Sequence, residues 1–336
     1  MTKKLFMLIV AFVCAATMAA QNIAVVSPSG VTTLYNTFPE AVEGAEDGSV
    51  VYLPGGKFSL DYDVNITKKI TIFGIGDKFI SEYNNGITRI IGNLRLCNGS
   101  SGSSLMGCYV DGNVEIGADS TEVDDVIIRY CYIKNLKIKN EHCSEIVINQ
   151  NYIGWCDSWY AAAEFTNNVT GSIRGMDGGT IVNNIVTSWS NGYEFPYGGS
   201  FYSQGVFIYC KNCIIANNVI LESDVSRIGS NTTNCQVSGN MVINKDWGDD
   251  CIYLTDVLLT DLFVNNNSSS VSTTNNYHFT DEYKQYENQV GIYAGTGFND
   301  KQLTPVPYIV AKQVDEQTDA QGKLNIRVRV KAGDTE

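Results

Sequence analysis

The chain contains few histidines and few basic residues, and these shortages argue against zinc binding and nucleic-acid binding. Its 336 residues include two histidines, His142 and His278, and 23 Lys and Arg against 36 Asp and Glu, for a net charge of −13. Cys210 and Cys213 form a single CxxC motif with no second pair at zinc spacing, so we expect no zinc site. Nucleic acid is not an expected partner either, because its phosphates require Lys and Arg.

Long apolar runs are restricted to the N-terminus. Residues 1–20 begin with Lys3 and Lys4, are apolar from Leu5 to Ala16 and end in small residues. This is the form of a signal peptide, and it is too short to span a membrane. We therefore expect a mature chain of net charge about −15 without a transmembrane segment. Its expected location is secreted, periplasmic or on the outer cell surface.

A short pattern recurs through the middle of the chain. Residues 145–153 show it, with Ile146 and Ile148 alternating with other residues, then Asn151, then Ile153. The Asn or Cys of successive copies falls at positions 108, 131, 151, 184, 218 and 240, in steps of 23, 20, 33, 34 and 22. A regular short period with two longer steps predicts a solenoid with two loop insertions.

The alternation within each copy predicts a short strand with one buried face. Such strands are stable only when stacked, with Asn lying on Asn along the axis. No stretch between the copies has the length and amphipathic pattern of a crossover helix, which excludes an α/β sheet. The prediction is an all-β, right-handed parallel β-helix with a short N-terminal capping helix and a C-terminal β-hairpin-like tail.

The two ends of the solenoid have their own signals. Thr37 and Glu40 have capping-box spacing at the start of a helix that would cover the open N-terminal end. Near the C-terminus, residues 309–316 and 324–331 are expected to pair as a hairpin. This hairpin either docks on the last coil or serves as an interaction or anchoring module. The predicted divisions are a signal peptide (1–20), a β-helix domain (21–285) and a C-terminal β tail (286–336).

Cysteines are expected to act as small buried hydrophobes. Loss of the signal peptide removes Cys14 and leaves nine, an odd number that cannot all pair within one chain. Four of them occupy inward positions of the repeat, namely Cys108, Cys131, Cys213 and Cys235. We expect these four to be free thiols.

Several segments carry a family resemblance. The segments Glu40–Val42, Val50–Phe58 and Ile70–Gly76 resemble the N-terminal cap and first coil of the pectin-lyase-like superfamily of secreted β-helix proteins. With the repeats, the likeness covers about residues 30 to 265, and the tail resembles the end of secreted β-helix proteins of Gram-negative bacteria. The resemblance implies the fold, whereas the superfamily's activities range from polysaccharide lyases and glycoside hydrolases to esterases, tailspikes and adhesins.

The catalytic motifs of that superfamily are mostly absent. Only residues 248–251, Gly-Asp-Asp-Cys, resemble a hydrolase motif, which makes Asp249 and Asp250 weak catalytic candidates. An exposed turn is the alternative interpretation of this pair. The resemblance to pectate lyases makes Ca²⁺ a possible ligand, but no cofactor is expected to be required and no metal site is assigned.

The four tryptophans lie in segments that begin just after the same position of the repeat. Insertions at one position of a solenoid emerge on one face, where aromatic rings can stack on sugars and carboxylates can accept hydroxyl hydrogen bonds. The candidate glycan-binding residues are Trp155, Asp157, Trp159, Trp189, Tyr193, Glu194, Tyr197, Asp246 and Trp247. The alternative is that these aromatic residues form small clusters that keep long loops folded.

The sequence therefore favours a secreted or cell-surface protein that binds a polysaccharide or surface glycan through an aromatic-rich loop face. One alternative is a carbohydrate-active enzyme, either a polysaccharide lyase or a glycoside hydrolase. Another is a structural or adhesive surface protein without glycan binding. Carboxylates clustered at the floor of the tryptophan face, or a Lys or Arg beside them, would favour the enzyme.

Overall fold

The structure is a computed structural model. It describes residues 22–78, 86–187, 205–222, 228–229, 231–243, 247–255, 257–265, 271–302, 304, 308–314, 323 and 326–331. The predicted signal peptide lies outside the described residues. In the part of the chain that is described, no helix is both long and apolar enough to cross a membrane.

The first of two long sheets takes one strand from each turn of the chain. In hydrogen-bonding order it contains β2 (Thr32–Tyr35), β1 (Ile23–Val26), β3 (Ser49–Tyr52), β6 (Ile70–Phe73), β9 (Ser104–Met106), β11 (Ile127–Arg129), β13 (Ile146–Asn149), β15 (Ala163–Thr166), β18 (Gly179–Val182), β21 (Ile214–Ala216) and β23 (Gln236–Ser238). From β3 onward the neighbours are parallel, whereas β1 is antiparallel to both β2 and β3.

The second sheet is parallel and takes one or two segments from each turn. Its main path contains β4 (Gly56–Ser59), β7 (Thr88–Ile91), β10 (Tyr109–Ile116), β12 (Tyr132–Ile138), β14 (Tyr152–Asp157), β16 (Val169–Thr170), β19 (Ile185–Val186), β22 (Val219–Ile220), β24 (Met241–Ile243) and β25 (Ile252–Leu254). Beside this path lie β5 (Val64–Ile66), β8 (Leu94–Leu96), β17 (Ile173–Arg174) and β20 (Phe207–Ile208).

The remaining elements are short. They are the helices α1 (Phe38–Gly44) and α2 (Leu259–Leu262), a 3₁₀ helix (Lys284–Tyr286), and two antiparallel pairs: β26 (Phe263–Asn265) with β27 (Asn276–Phe279), and β28 (Tyr308–Val314) with β29 (Ile326–Lys331). The last pair confirms the predicted C-terminal hairpin.

Burial follows the predicted alternation. In β13, Ile146 and Ile148 are buried against the core, whereas Val147 between them is partly exposed. Parallel pairing then lays Ile148 beside Ile128 of β11 and Phe165 of β15, so apolar side chains form continuous inward columns. The architecture is all-β and solenoid-like, with long parallel sheets around a single apolar core.

A ladder of buried asparagines joins the turns. Its members are Asn151, Asn168, Asn184, Asn218 and Asn240, all of them inaccessible to solvent. The Asn184 amide is typical, because its Nδ2 donates to Phe165 O (2.9 Å) and to Asn218 Oδ1 (3.0 Å). Asn218 Oδ1 also accepts from the Asn184 backbone N–H (2.9 Å). Each side chain therefore satisfies polar groups of its own turn and of its neighbour.

Asn168 marks a turn that the repeat pattern does not predict. The step of 33 residues between Asn151 and Asn184 predicts one turn with a loop insertion, and this prediction is wrong. The ladder makes it two short turns of 17 and 16 residues. The copy was hidden because Thr170 occupies the final position, where the pattern has an apolar residue.

The N-terminal cap agrees with its prediction. Helix α1 begins after Thr37, whose side chain accepts from the Glu40 backbone N–H. Its apolar stripe, Phe38, Ala41 and Val42, is buried. The helix covers the core beside β1 and β2, so apolar side chains of the first turn are not left exposed.

The C-terminal segment returns along the solenoid as a strap, defined here as residues 290–302 and 304. It contacts Asn217, Asn167 and Gln150, each of which comes one residue before a ladder asparagine. Its hydrogen bonds, in chain order, are Gly291 N to Asn217 O (2.8 Å), Asn167 Nδ2 to Ile292 O (2.8 Å) and Ala294 O (2.7 Å), Thr296 Oγ1 to Asn167 Oδ1 (3.1 Å), Asn299 N to Gln150 Oε1 (2.7 Å), and Thr304 Oγ1 to Gly74 O (2.7 Å). The strap thus runs from the last turns to the first.

The strap covers a second apolar cluster outside the core. Val290 and Ile292 of the strap, with Phe263, Tyr277 and Phe279 of the β26–β27 pair, pack on outward side chains of the second sheet. Those outward residues are Tyr152, Val169, Ile185, Val219 and Met241. The last residue of the strap, Thr304, bonds to Gly74 of the first turns. The C-terminal hairpin therefore follows a segment placed on the first turns, not on the last coil.

The cysteines lie as free thiols, nine of them within the described residues. Burial raises the pKa of Cys131 and of Cys210 to about 12, which keeps both thiols protonated and unreactive at neutral pH. Cys108 and Cys213 are also buried, as predicted, whereas Cys235 in the last turns is only partly buried.

The register can be tested with two neighbouring substitutions. Ile148→Asp should prevent folding, because it places an unpaired charge in the core at a cost of several kcal/mol. Val147→Thr, one residue away on the outer face, should change the free energy of unfolding by less than about 1 kcal/mol. Thermal melts followed by circular dichroism measure both, and equal effects would contradict the assigned register.

Candidate functional site

Six of the eleven predicted site residues lie in the described part of the chain. They are Trp155, Asp157, Trp159, Trp247, Asp249 and Asp250. The other five, Trp189, Tyr193, Glu194, Tyr197 and Asp246, lie outside the described residues.

Trp155 is part of a strand, which corrects its prediction as a loop residue. It lies in β14, in register with Asn135 of β12, and its side chain is 8 % exposed. Lys137 Nζ lies 5.7 Å from the centre of its ring. The indole therefore contributes more to packing on the sheet surface than to an open stacking platform.

Trp247 packs on the core. Its ring stacks on Phe207 with centroids 5.4 Å apart and an interplanar angle of 13°. Phe207 is fully buried in β20, and Trp247 is partly buried and packs against the core cluster. For this residue, the alternative of an aromatic cluster that stabilises the fold describes the structure better than a sugar-binding face does.

Asp249 and Asp250 form an exposed turn. Both side chains are exposed, and Asp250 has a left-handed backbone with φ of 49°. The Asp249 backbone bridges to the first sheet, because its N–H donates to Val237 O (3.0 Å) and its carbonyl accepts from Gly239 N (2.9 Å). Asp249 therefore lies beside the first sheet, whereas Trp155 lies in β14 of the second sheet.

A column of alternating charges runs beside Trp155 on the outer face of the second sheet. Consecutive strands place Arg95, Glu115, Lys137, Asp157 and Arg174 in direct register. Glu115 is paired on both sides, at 3.6 Å from Arg95 Nε and 3.4 Å from Lys137 Nζ. We call these five residues the charged column.

The charged column is well shielded from water. The side chains of Glu115 and Lys137 are 14 % and 13 % exposed, and Asp157 is 4 % exposed. Burial raises the pKa of Asp157, while the Trp159 backbone N–H, Arg174 and Lys139 act in the opposite direction. A buried carboxyl group with a raised pKa beside charged partners is a candidate functional group.

The chain turns sharply just after Asp157. Trp159 and Tyr160 both have left-handed backbones, with φ of 42° and 70°. Hydrogen bonds to the next turn hold this conformation, from Ser158 N to Arg174 O (2.9 Å) and from Tyr160 N to Gly175 O (2.5 Å). Two consecutive large aromatic residues in this region are costly, and such strain is concentrated at functional sites.

Lysines flank both of these rings. Lys139 Nζ lies 4.0 Å from the centre of the Trp159 ring, and Lys211 Nζ lies 5.0 Å from that of Tyr160. Tyr160 is 40 % exposed, and Trp159 is partly buried. We call Asp157, Trp159, Tyr160, Lys139 and Lys211 the aromatic corner. It combines aromatic surface, cations and a carboxyl group at one edge of the charged column.

A second polar cluster was not predicted from the sequence. His278 Nδ1 lies 2.7 Å from Glu287 Oε1, and its Nε2 lies 3.0 Å from Asp300 Oδ2. Its ring stacks on Tyr293, whose hydroxyl donates to Asp300 Oδ1 (2.6 Å). Burial acts to raise the pKa of Glu287, but hydrogen bonds from Lys284 and His278 outweigh it, so the pKa is lowered. The cluster joins β27 to the strap, which indicates a structural role.

The strain at the aromatic corner leads to a stability test. Tyr160→Gly should leave the free energy of unfolding unchanged or raise it by up to about 1 kcal/mol, because glycine adopts positive φ without a steric cost. Tyr253→Gly is the matched control, since Tyr253 is 41 % exposed but lies in strand β25. The control should lose about 1 kcal/mol in urea unfolding, and a larger loss for Tyr160→Gly would contradict the strain argument.

Metal ligands and known relatives do not identify the site. Within the described ranges, no group of three or more His, Cys, Asp and Glu side chains is placed to hold a metal ion. No family model, no curated protein and no solved structure matches this chain. The function must therefore be argued from the charged column and the aromatic corner themselves.

Proposed function

We propose that this chain is a secreted or cell-surface right-handed β-helix protein, similar to the pectin-lyase-like superfamily, that binds a polysaccharide at the aromatic corner. The observation that carries the proposal is the strained pair Trp159–Tyr160, with Tyr160 exposed and both rings flanked by lysines. Aromatic faces bind the apolar faces of sugar rings, while Lys and Asp side chains suit their hydroxyl groups.

The corner also favours a chain over a single sugar. Lys139 follows β12, Trp159 follows β14 and Lys211 follows β20. These are the first, second and fourth of four neighbouring strands, with β17 as the third. Strands are spaced by about 4.8 Å, which spreads these groups over roughly 15 Å along the solenoid axis. A polymer lying along that axis would contact all three groups, whereas a monosaccharide would contact one.

Binding can be tested with variants that keep the fold. A glycan array first identifies an oligosaccharide, and calorimetric titration then measures its affinity. Trp159→Ala and Tyr160→Gly should each weaken binding about tenfold, by analogy with the roughly 1 to 3 kcal/mol that stacking contributes in nucleic-acid sites. Longer oligosaccharides should bind more tightly than a monosaccharide. Tyr253→Ala is the control for loss of an equally exposed tyrosine.

Equal affinities for Trp159→Ala, Tyr253→Ala and the unaltered chain would contradict the proposal. Failure of every glycan on the array would favour a structural or adhesive protein without glycan binding. Titrations repeated with added Ca²⁺ and with a chelator test whether calcium bridges an acidic sugar to this acidic protein.

The charged column favours a second candidate, a carbohydrate-active enzyme. It places Lys137 and Arg174 beside the carboxyl groups of Glu115 and Asp157, next to Trp155. Glu115 and Asp157 lie two strands apart, so their Cα atoms are separated by about 10 Å. Two carboxyl groups about 6.5 to 9.5 Å apart act as acid and base in inverting glycoside hydrolases.

If the chain is an enzyme, it should release cleavage products as well as bind the glycan. Incubation with the glycan found by the array should release new reducing ends from a hydrolase, or unsaturated ends absorbing in the ultraviolet from a lyase. Asp157→Asn should lower the rate by at least about a hundredfold if its carboxyl transfers a proton, with binding retained. Binding without any product from the unaltered chain would exclude this second candidate and leave the first intact.

A further inference from the structure

A buried carboxyl group lies where the strap ends on the first turns. Asp77 is 2 % exposed, and neither of its carboxyl oxygens has a hydrogen-bond partner within the described structure. The adjacent Lys78 donates from Nζ to the Tyr152 hydroxyl (2.7 Å) and to Asp300 O of the strap (3.2 Å). An ionised carboxylate without a partner is disfavoured in such a place, so burial favours the protonated form of Asp77.

The surroundings of Asp77 offer little compensation for a negative charge. Cys108 and Cys131 of the following turns interact with it electrostatically, as does Tyr152 of the second sheet. On the strap side, Asp300 carries a like charge and acts on the same Tyr152 and Lys78. Burial raises the pKa of Asp77 to about 7, with Lys78 opposing the change.

The strap is hydrogen-bonded to the turns at both ends, and the end near Asp77 also carries strain and an unsatisfied group. Near its start, the Asn167 side chain makes hydrogen bonds to Ile292, Ala294 and Thr296. Near its end, Gln302 has a left-handed backbone with φ of 49° and a fully buried Oε1 without a partner. Opening of this end would relieve that strain and hydrate the unsatisfied oxygen.

We propose that Asp77 acts as a pH-dependent latch for the strap. While protonated, it allows residues 299–302 and 304 to pack on the first turns. When it ionises, this end of the strap detaches and admits water to the carboxylate. The C-terminal hairpin, which begins at Tyr308, is then held through a longer tether attached near Asn167.

The direction of the pH dependence follows from the two states. An aspartate in an open or unfolded segment titrates near pH 3.9, whereas in the closed strap burial shifts the pKa of Asp77 to about 7. The closed state is therefore favoured fully below about pH 4, and that preference is lost as the pH rises through about 7. Acid closes the strap, and alkali opens it.

Hydrogen exchange of the full mature chain tests the latch. Its reporters are strap amides near the latch, which include Asn299 N, bonded to Gln150 Oε1, and Gln302 N, bonded to Asn299 O. Peptides containing Gly291 and Ala294 report on the other end. The unaltered chain and Asp77→Asn are compared at about pH 5.5 and about pH 8.5, so that intrinsic exchange rates cancel at each pH.

At the lower pH, which lies between the two pKa values, the two proteins should differ only in part in the protection of residues 299–302 and 304. At the higher pH, the unaltered chain should lose protection there at least tenfold relative to Asp77→Asn, while the Gly291 and Ala294 peptides change little. Equal protection of both proteins at both pH values would overturn the latch, as would an equal loss along the whole strap. If Asp77→Asn fails to fold, the ratio between the two ends of the strap in the unaltered chain decides the same question.

Discussion

The asparagine ladder is the constraint on which the rest of the structure depends. Asn151, Asn168 and their successors satisfy backbone groups that would otherwise be buried without partners. The Oδ1 of each also accepts a bond from a backbone N–H of the preceding turn, so a turn cannot shift relative to its neighbour without breaking several bonds. Because strand side chains alternate between faces, a shift of one residue would turn the apolar columns outward.

The same register creates the candidate site. Residues that are unremarkable in isolation, such as Glu115, Lys137 and Asp157, become neighbours because their strands pair without a shift at those positions. Alternation of charge along the column offsets the burial of each group, since every acid lies next to at least one base. The turn after Asp157 then brings Trp159 and Tyr160 to the edge of the column.

The sequence revealed local features and missed features made by distant residues. The repeat, the inward asparagines and the capping box around Thr37 depend on residues a few positions apart, and the structure contains all three. The turn at Asn168 was missed because one polar residue, Thr170, broke the apolar pattern. The charged column was invisible because its partners lie about 20 residues apart in turns of unequal length. No pattern relates Asp300 to Lys78.

The outward residues of the second sheet are apolar on one side and charged on the other. Parallel sheets usually need cover on both faces, and the outward Val169, Ile185 and Val219 obtain it from the strap and the β26–β27 pair. The charged column on the neighbouring strand segments is instead made of acids and bases that compensate one another across the strands. The C-terminal segment is thus directed to one side by the apolar residues there. The other side carries the charges and the strained aromatic turn on which the glycan-binding proposal rests.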